Sequence, residues 1–171
     1  RRLDTLSIPT VALIQGGCFG GGTGIASVCD IVVAADNAIF AITEARWGLI
    51  AGIILPQLCQ AIGVRNVRRY ALTCERFSPE TALHIGLAHE ICKADELRAT
   101  GARIVDGLLM NSPSAVSATK MRTLEVSNSL LDDALFADLV RQHSELRQQA
   151  DAAEGTASFL EKRLPSWYPQ N

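Results

Sequence analysis

The chain has 171 residues, 48% of them hydrophobic and 20% charged, which suits one packed domain with a helical appendage and excludes a disordered segment. With 16 Lys and Arg against 18 Asp and Glu, a formal charge of −2 and no basic block, nothing marks a nucleic-acid or anionic-lipid partner. The longest uncharged stretches, 5–29 and 47–64, are broken by six glycines and by Pro56, Gln57 and Gln60, so neither reads as a membrane-spanning helix.

No secretory signal pattern opens the chain, so the expected location is the cytoplasm. Cys18, Cys29, Cys59, Cys74 and Cys92 are odd in number and scattered, without a CxxC pair. They read as small apolar residues rather than as a disulfide framework or zinc knuckle. The start at Arg1 without methionine suggests a piece of a longer protein, and Leu3 and Leu6 have the spacing of the end of an amphipathic helix.

In chain order, 9–15 (PTVALIQ) predicts a buried strand that enters a glycine turn at Gly16-Gly17. The glycine-rich run Phe19-Gly20-Gly21-Gly22-Thr23-Gly24 follows, with 25–29 as a short helix. Two apolar strands come next, 31–35 and 38–42, joined by a tight turn at Asp36-Asn37, whose flanking Asp30 and Asp36 read as turn and capping residues. Strand, glycine loop, helix, strand is an α/β rhythm.

Helical segments are expected over 56–62, 64–72 and 79–85, the last with Ser78 as N-cap, Pro79 in its first turn and Gly86 as its stop. A short strand at 88–92 precedes a stretch expected to be helical throughout, over 95–110, 113–127, 131–149 and about 152–160. Within it Leu131, Leu135, Leu139, Val140, His143 and Leu146 share one face, an apolar stripe that requires cover.

Three consecutive glycines between a strand and a helix free the backbone to approach a ligand, and the helix N-terminus adds partial positive charge there. Such a loop could hold a phosphate or a carbonyl oxygen that is gaining negative charge, or could simply make a tight turn. The phosphate option fails on spacing: Gly22-Thr23-Gly24-Ile25-Ala26-Ser27 places Ser where GxGxxG needs its third glycine, and no Lys-Ser/Thr follows. A nicotinamide oxidoreductase, which would need that fingerprint, is disfavoured for the same reason.

Glu44 closes the strand AIFAI among Ala45, Trp47, Leu49 and Ile50. A carboxyl group in apolar surroundings can trade protons near neutrality, as general acid–base chemistry requires. The competing reading is a helix-start glutamate behind Thr43, solvated or paired with Arg46. His84, His89 and His143 show no metal-ligand spacing and read as core or interface histidines.

Taken together, Pro9-Thr10-Val11-Ala12, Gly16, Phe19-Gly20-Gly21-Gly22, Cys29-Asp30-Ile31, Ala38, Phe40 and Glu44 with Gly48 resemble the enoyl-CoA hydratase/isomerase (crotonase) superfamily. Tyr70-Ala71-Leu72-Thr73, Arg76-Phe77-Ser78, Ala82, Gly86-Leu87-Ala88 with Glu90, and Phe159-Leu160-Glu161-Lys162-Arg163 extend the likeness over essentially the whole chain. The resemblance implies an α/β fold: a spiral of strand–helix units whose C-terminal part is 1–94, followed by a helical trimerisation region over 95–171. It further implies a homotrimer or hexamer, an acyl-CoA thioester as substrate, and no cofactor or metal, coenzyme A being part of the substrate.

By position, Gly21 matches the residue whose N–H helps hold the thioester oxygen as it becomes an enolate, the second N–H coming from an N-terminal part that this chain lacks. Glu44 matches a catalytic glutamate. Phe19, Gly20, Gly24 and Gly52 fall at substrate-binding positions, and Phe159 and Lys162 near the CoA nucleotide.

One departure bears on mechanism. Where common hydratases of the family carry a second glutamate after the glycines, this chain has Gly24, which leaves one carboxylate. One base suffices to move a double bond through an enolate, as an isomerase does. Phe19–Gly24, 44–49 and 69–77 nevertheless look like bacterial hydratases acting on branched, methylglutaconyl-like thioesters, and hydration of a 2-enoyl-CoA is therefore placed ahead of isomerisation. A homologue that binds acyl-CoA without catalysis is the remaining alternative.

Overall fold

Ile31–Ala35 is apolar at all five positions, and the computed structural model of the chain, which describes residues 2–127 and 129–169, makes it a central strand. It is β3, flanked by β1 (Val11–Ile14) and β5 (Glu90–Cys92) in a three-stranded parallel sheet of order β1-β3-β5. The register pairs Val11 with Ile31 and Ile14 with Ala34 on one side, and Val33 with Glu90 and Ala35 with Cys92 on the other. Val32, Val33, Ala34 and Ala35 are all buried, as a strand covered on both faces of a parallel sheet must be. The chain is thus of the α/β class; the expected strand 31–35 is present with its expected bounds, and those at 9–15 and 88–92 are present in shortened form.

A second, two-stranded parallel sheet pairs β2 (Gly17–Phe19) with β4 (Ile39–Ala41). β2 lies inside what the sequence reads as a glycine turn. Gly17 and Phe19 carry too little apolar patterning to announce a strand, but the partner β4 supplies the acceptors and donors. The expected strands 31–35 and 38–42 therefore belong to different sheets, with Ala38 N–H closing the turn onto Ala35 C=O at 2.9 Å. Phe40 also bridges Phe77 through N–H···O bonds of 3.0 and 2.9 Å in the two directions.

The helix after the glycines, α1 (Gly21–Val28), begins four residues earlier than the expected 25–29, so the glycines form its first turn. Tertiary anchoring overrides their poor helix propensity. Gly20 caps the helix and accepts from Gly24 N–H at 3.1 Å, and the buried Thr23 hydroxyl bonds the carbonyls of Cys18 and Ala41, each at 2.9 Å. The segments expected at 56–62 and 64–72 form α2 (Leu55–Thr73), broken at Gly63, whose φ of 74° and ψ of 151° are not helical. α3 (Pro79–His84) starts at the expected cap, with Ser78 Oγ accepting from Thr81 N–H at 3.3 Å. Leu3 and Leu6 do not end a helix: residues 2–5 form turns, and Pro9 pushes Ile8 toward extended backbone.

Two compact units divide the chain, Arg1–Asp4 with Thr10–Ile104 and Thr5–Pro9 with Val105–Asn171, and α4 (Leu97–Leu109) runs from the first into the second. In the first unit Phe40, Ile42, Leu58 and Leu87 are fully buried, and Tyr70 packs on Phe77 with ring centroids 4.3 Å apart. Asp30 and Asp36 act as the sequence suggests: Asp30 accepts from Thr10 N–H at 2.7 Å, and Asp36 from Ala94 N–H at 3.2 Å. His89 Nδ1 accepts from Val32 N–H at 3.0 Å, a structural role.

The second unit carries α5 (Pro113–Val126), α6 (Asp133–Arg147) and α7 (Ala150–Glu161). Along α6, Leu135, Leu139 and Leu146 are half-buried, whereas Val140 and His143 of the expected stripe, with Leu131 ahead of the helix, face solvent. No helix among the described residues is long and apolar enough to cross a membrane.

Candidate active site

The end of β2 delivers Phe19 and Gly20 to the start of α1, and the end of β4 leads through Ile42 and Thr43 to Glu44. Because β2 and β4 are paired in register, with Phe19 opposite Ala41, the two chain ends emerge side by side. Gly20 N–H donates to Ala41 C=O at 2.9 Å, and Thr23 ties the first turn of α1 to both strands. Thr23 is thus a positioning residue that the sequence pattern does not announce; its only sequence signal is a hydroxyl placed between helix-start glycines. The Cys18 thiol beside it is pushed upward by burial, partly opposed by its hydrogen bond with Thr23, so it stays neutral and inert.

Gly20 has a φ of 51° and a ψ of −119°, a conformation that L side chains rarely adopt. A Cβ there would lie 3.0 Å from Glu44 Oε1 and 3.2 Å from Thr43 Oγ1. The Glu44 carboxylate therefore lies against the bare backbone at the α1 N-terminus. Gly21, Gly22 and Thr23 occupy the first turn, where N–H groups have no intrahelical acceptor. Gly21 is exposed, and the space beside its Cα is open.

Glu44 begins a 3-10 turn, Glu44–Trp47, and Thr43 offers it no side-chain cap. Arg46 does not neutralise it: the Arg46 guanidinium donates to Cys74 C=O at 3.2 Å. Among the described residues, Glu44 Oε2 is buried with no hydrogen-bond partner. An orphaned buried acceptor costs on the order of 1–3 kcal/mol, which is tolerated where a ligand or reacting proton completes it.

An open apolar cavity of about 370 Å³ adjoins Glu44, lined by Ile42, Leu49, Ala51, Leu55, Val67 and Ala71 among others. A site of this size with few polar groups suits an acyl chain. Gly24 is buried, and a Cβ on it would lie 2.3 Å from Ile54 Cγ2 and 2.7 Å from Ile54 Cβ. Ile54 thus fills the space into which a side chain at position 24 would extend. The sequence assigns Ile54 no role, because an isoleucine in an apolar loop carries no chemical signal.

Of the expected site residues, Phe19, Gly20, Gly21, Gly24 and Glu44 come together in the first unit. Phe19 leans under the Arg76 guanidinium, 5.5 Å from its ring centroid. Gly52 sits in an exposed turn and is not among the residues lining the cavity. Phe159 and Lys162 lie in the second unit, Phe159 largely exposed on α7 and Lys162 at its C-cap with a φ of 55°. No group of three or more potential metal ligands occurs among the described residues.

Known proteins resemble the chain over most of its length. A mevalonyl-coenzyme A hydratase of Aspergillus fumigatus is 33% identical over 95% of this chain and 61% of its own length. A mitochondrial Delta(3,5)-Delta(2,4)-dienoyl-CoA isomerase of Dictyostelium discoideum is 30% identical, over 96% of this chain and 56% of its own. The crystal structure of an enoyl-CoA hydratase from Shewanella pealeana superimposes with a TM-score of 0.92 at 34% identity, covering 97% of this chain and 62% of that one. The chain thus spans about three fifths of the length of these relatives, 56% and 61% in the two curated cases. The Enoyl-CoA hydratase/isomerase family matches over residues 1–170, and the chain belongs to that family.

Proposed function

We propose that the protein is an acyl-CoA enzyme that hydrates a 2-enoyl thioester through an enolate, with Glu44 as its proton-transfer group. The observation that carries this reading is the Glu44 carboxylate, with its orphaned Oε2, set against the open first turn of α1 and next to an apolar cavity. The thioester oxygen would be held by first-turn N–H groups, that of Gly21 foremost, where the helix dipole favours developing negative charge. Members of the family act on acyl-CoA thioesters, in agreement with the cavity's apolar lining.

One carboxylate is enough to balance the reaction. Glu44 takes a proton from water as the water oxygen bonds to C3, and the C2–C3 π pair moves through C1 onto the thioester oxygen. The enolate collapses and C2 takes the proton back from Glu44, so water has been added and the carboxylate restored. Position 24 itself supplies no second base, and Ile54 stands where a side chain there would extend. That same observation favours a second reading, in which Glu44 removes a proton from C2 of a 3-enoyl thioester and returns it at C4.

In this reading the protein assembles as a homotrimer or hexamer, supported by the exposed Phe159, Leu160 and Leu164 at the end of the helical unit. Incubation of the protein with a 2-enoyl-CoA, followed by mass spectrometry, tests the reaction, and Glu44→Gln is the control. A gain of one water, reduced about 100- to 10,000-fold in rate in the variant with affinity kept, is expected. No mass change with a 2-enoyl substrate, but conversion of a 3-enoyl one, would establish the isomerase instead. Thioester binding without either conversion would leave a binding protein.

A further inference from the structure

Arg46 follows Glu44 by two residues in the same 3-10 turn, Glu44–Trp47, and carries the cation nearest to that carboxylate in sequence. An ion pair between the two would be the ordinary use of such a residue. The guanidinium instead donates to Cys74 C=O at 3.2 Å, 28 residues along the chain. Cys74 is the C-cap of α2. Carbonyls at a helix C-terminus lack intrahelical donors and carry partial negative charge, so the end of α2 competes with Glu44 for this guanidinium and holds it.

Two further features mark the contact as built into the site. Cys74 has a φ of 51°; apart from glycines, Cys74 and Lys162 alone have positive φ among the described residues. A left-handed cap without glycine carries strain, offset here by the burial of Cys74 and by its N–H donating to Tyr70 C=O at 3.0 Å. The contact also joins two walls of the cavity. Ala45, Leu49 and Ile50 come from the Glu44 turn and the residues after it, and Val67, Ala71 and Leu72 from the last turns of α2.

Glu44 is affected in two ways. The turn that carries it is tied to α2, which is anchored in the core by Leu58, Ile62, Val67 and Tyr70. The guanidinium is also kept off the carboxylate, whose Oε2 has no partner among the described residues. A bound guanidinium holds a carboxylate in its ionised form and opposes proton uptake. Arg68 of α2 is the other charged side chain lining the cavity, α1 contributes none, and Glu75 beside Cys74 is taken by Arg69 at 2.6 Å.

We infer that Arg46 is a positioning residue for Glu44: by binding the C-terminal end of α2 it fixes the turn that presents the carboxylate and withholds its own charge from it. This rests on reading Glu44 as the proton-transfer group.

Arg46 is exposed, so Arg46→Met and Arg46→Lys should unfold at the same denaturant midpoint as the unmodified protein. With the enoyl thioester that the unmodified protein converts, Arg46→Met should lower kcat about 10- to 100-fold, as a displaced proton-transfer group does. KM should stay within about 2-fold, because the thioester's own contacts remain. Arg46→Lys keeps a cationic donor of similar reach and should recover most of the loss. The acid limb of the kcat/KM profile reports the base of the free enzyme and should move by less than about half a pH unit in Arg46→Met. An unchanged kcat, a loss that lysine does not restore, or a loss that appears in KM alone overturns the role of Arg46. So does an acid limb that moves up by about one pH unit or more, which would show that Arg46 pairs with Glu44 in solution. The parent reading fails by a different result: if the unmodified protein converts neither a 2-enoyl nor a 3-enoyl thioester, or if Glu44→Gln keeps the rate, Glu44 is not the proton-transfer group and this inference falls with it.

Discussion

The two units are held together by different means. Among the described residues every buried hydrophobic side chain lies between Cys18 and Leu97, in the unit that carries Glu44. In the helical unit α5 and α6 have no buried residue, and α7 has only Ser158. Polar ties replace the core there. Ser112 and Ser114 donate to Asp151 at 2.6 and 2.5 Å, Arg122 reaches Asp138 and Glu125, and Arg163 clasps Glu154 at 2.7 and 2.8 Å. Leu130, Leu131, Phe136, Phe159, Leu160 and Leu164 meanwhile stay exposed. A site that depends on Glu44 meeting the first turn of α1 needs a rigid apolar frame. A unit with its apolar residues outward and polar ties within is suited to being completed by association.

Phe40→Ala makes that contrast sharpest. Phe40 is fully buried, stacks on Phe77 with centroids 5.6 Å apart, and sits in the strand that leads to Glu44. Its removal should cost about 3–5 kcal/mol in denaturant unfolding and carry activity down with it. Phe159→Ser, at an exposed position, should leave that unfolding free energy within about 0.5 kcal/mol. If the proposed homotrimer or hexamer forms through this surface, its effect should appear in light scattering as a shift toward smaller species. A Phe159 variant that destabilises as much as Phe40→Ala would erase the distinction between the two units.

A smaller effect is expected inside the frame at Gly24. The methyl of Gly24→Ala would meet Ile54 Cγ2 at 2.3 Å and Ile54 Cβ at 2.7 Å, so overpacking should cost about 1–3 kcal/mol. Ile54→Ala cannot relieve this, because it keeps Cβ. Ile54→Gly removes both atoms, at a cap position where glycine is tolerated. Thermal denaturation of the single and double variants measures the coupling: the cost of Gly24→Ala should largely vanish in the Ile54→Gly background. Additive costs would mean that the two positions do not compete for one space.

How much of this was legible in the sequence depends on the kind of signal. The parallel strand Ile31–Ala35 and the start of α3 at Ser78-Pro79 are written in apolar runs and cap chemistry, so they were readable. Glu44 and the glycines were readable as candidates because a carboxylate in an apolar neighbourhood and a triple glycine are locally unusual. β2 was not, because its three residues become a strand only through β4. Nor was the start of α1 at Gly21, which rests on Thr23 bonding carbonyls of two strands. The fate of Arg46 was missed for a similar reason: its partner, the Cys74 carbonyl, is 28 residues away. What sequence hides here is consistently a non-local hydrogen bond or a shared volume, as between Gly24 and Ile54.

The smallest expected effect sits in the helical unit, at Glu154. Its hydrogen bonds from Arg163, and then from Ser166 N–H at 2.7 Å, lower its pKa from the ordinary 4.5 to about 2. The folded state therefore binds this proton less readily than the unfolded chain. The contribution of the clasp to stability is complete above the unfolded value and is lost as pH falls from about 4.5 toward 2. Helicity followed by circular dichroism during acid titration should fall across that window in the unmodified protein. Glu154→Gln should lower the plateau above pH 4.5 slightly and narrow its difference from the unmodified protein as the pH approaches 2. Because the same polar clasp fixes the chain after α7, the loss should be confined to helical signal, with the core around Phe40 unaffected. Curves that stay parallel from neutral pH to pH 2 would show that the Arg163 clasp does not hold the end of α7, and the contrast between a unit held by its core and one held by polar ties would lose its clearest support on the polar side.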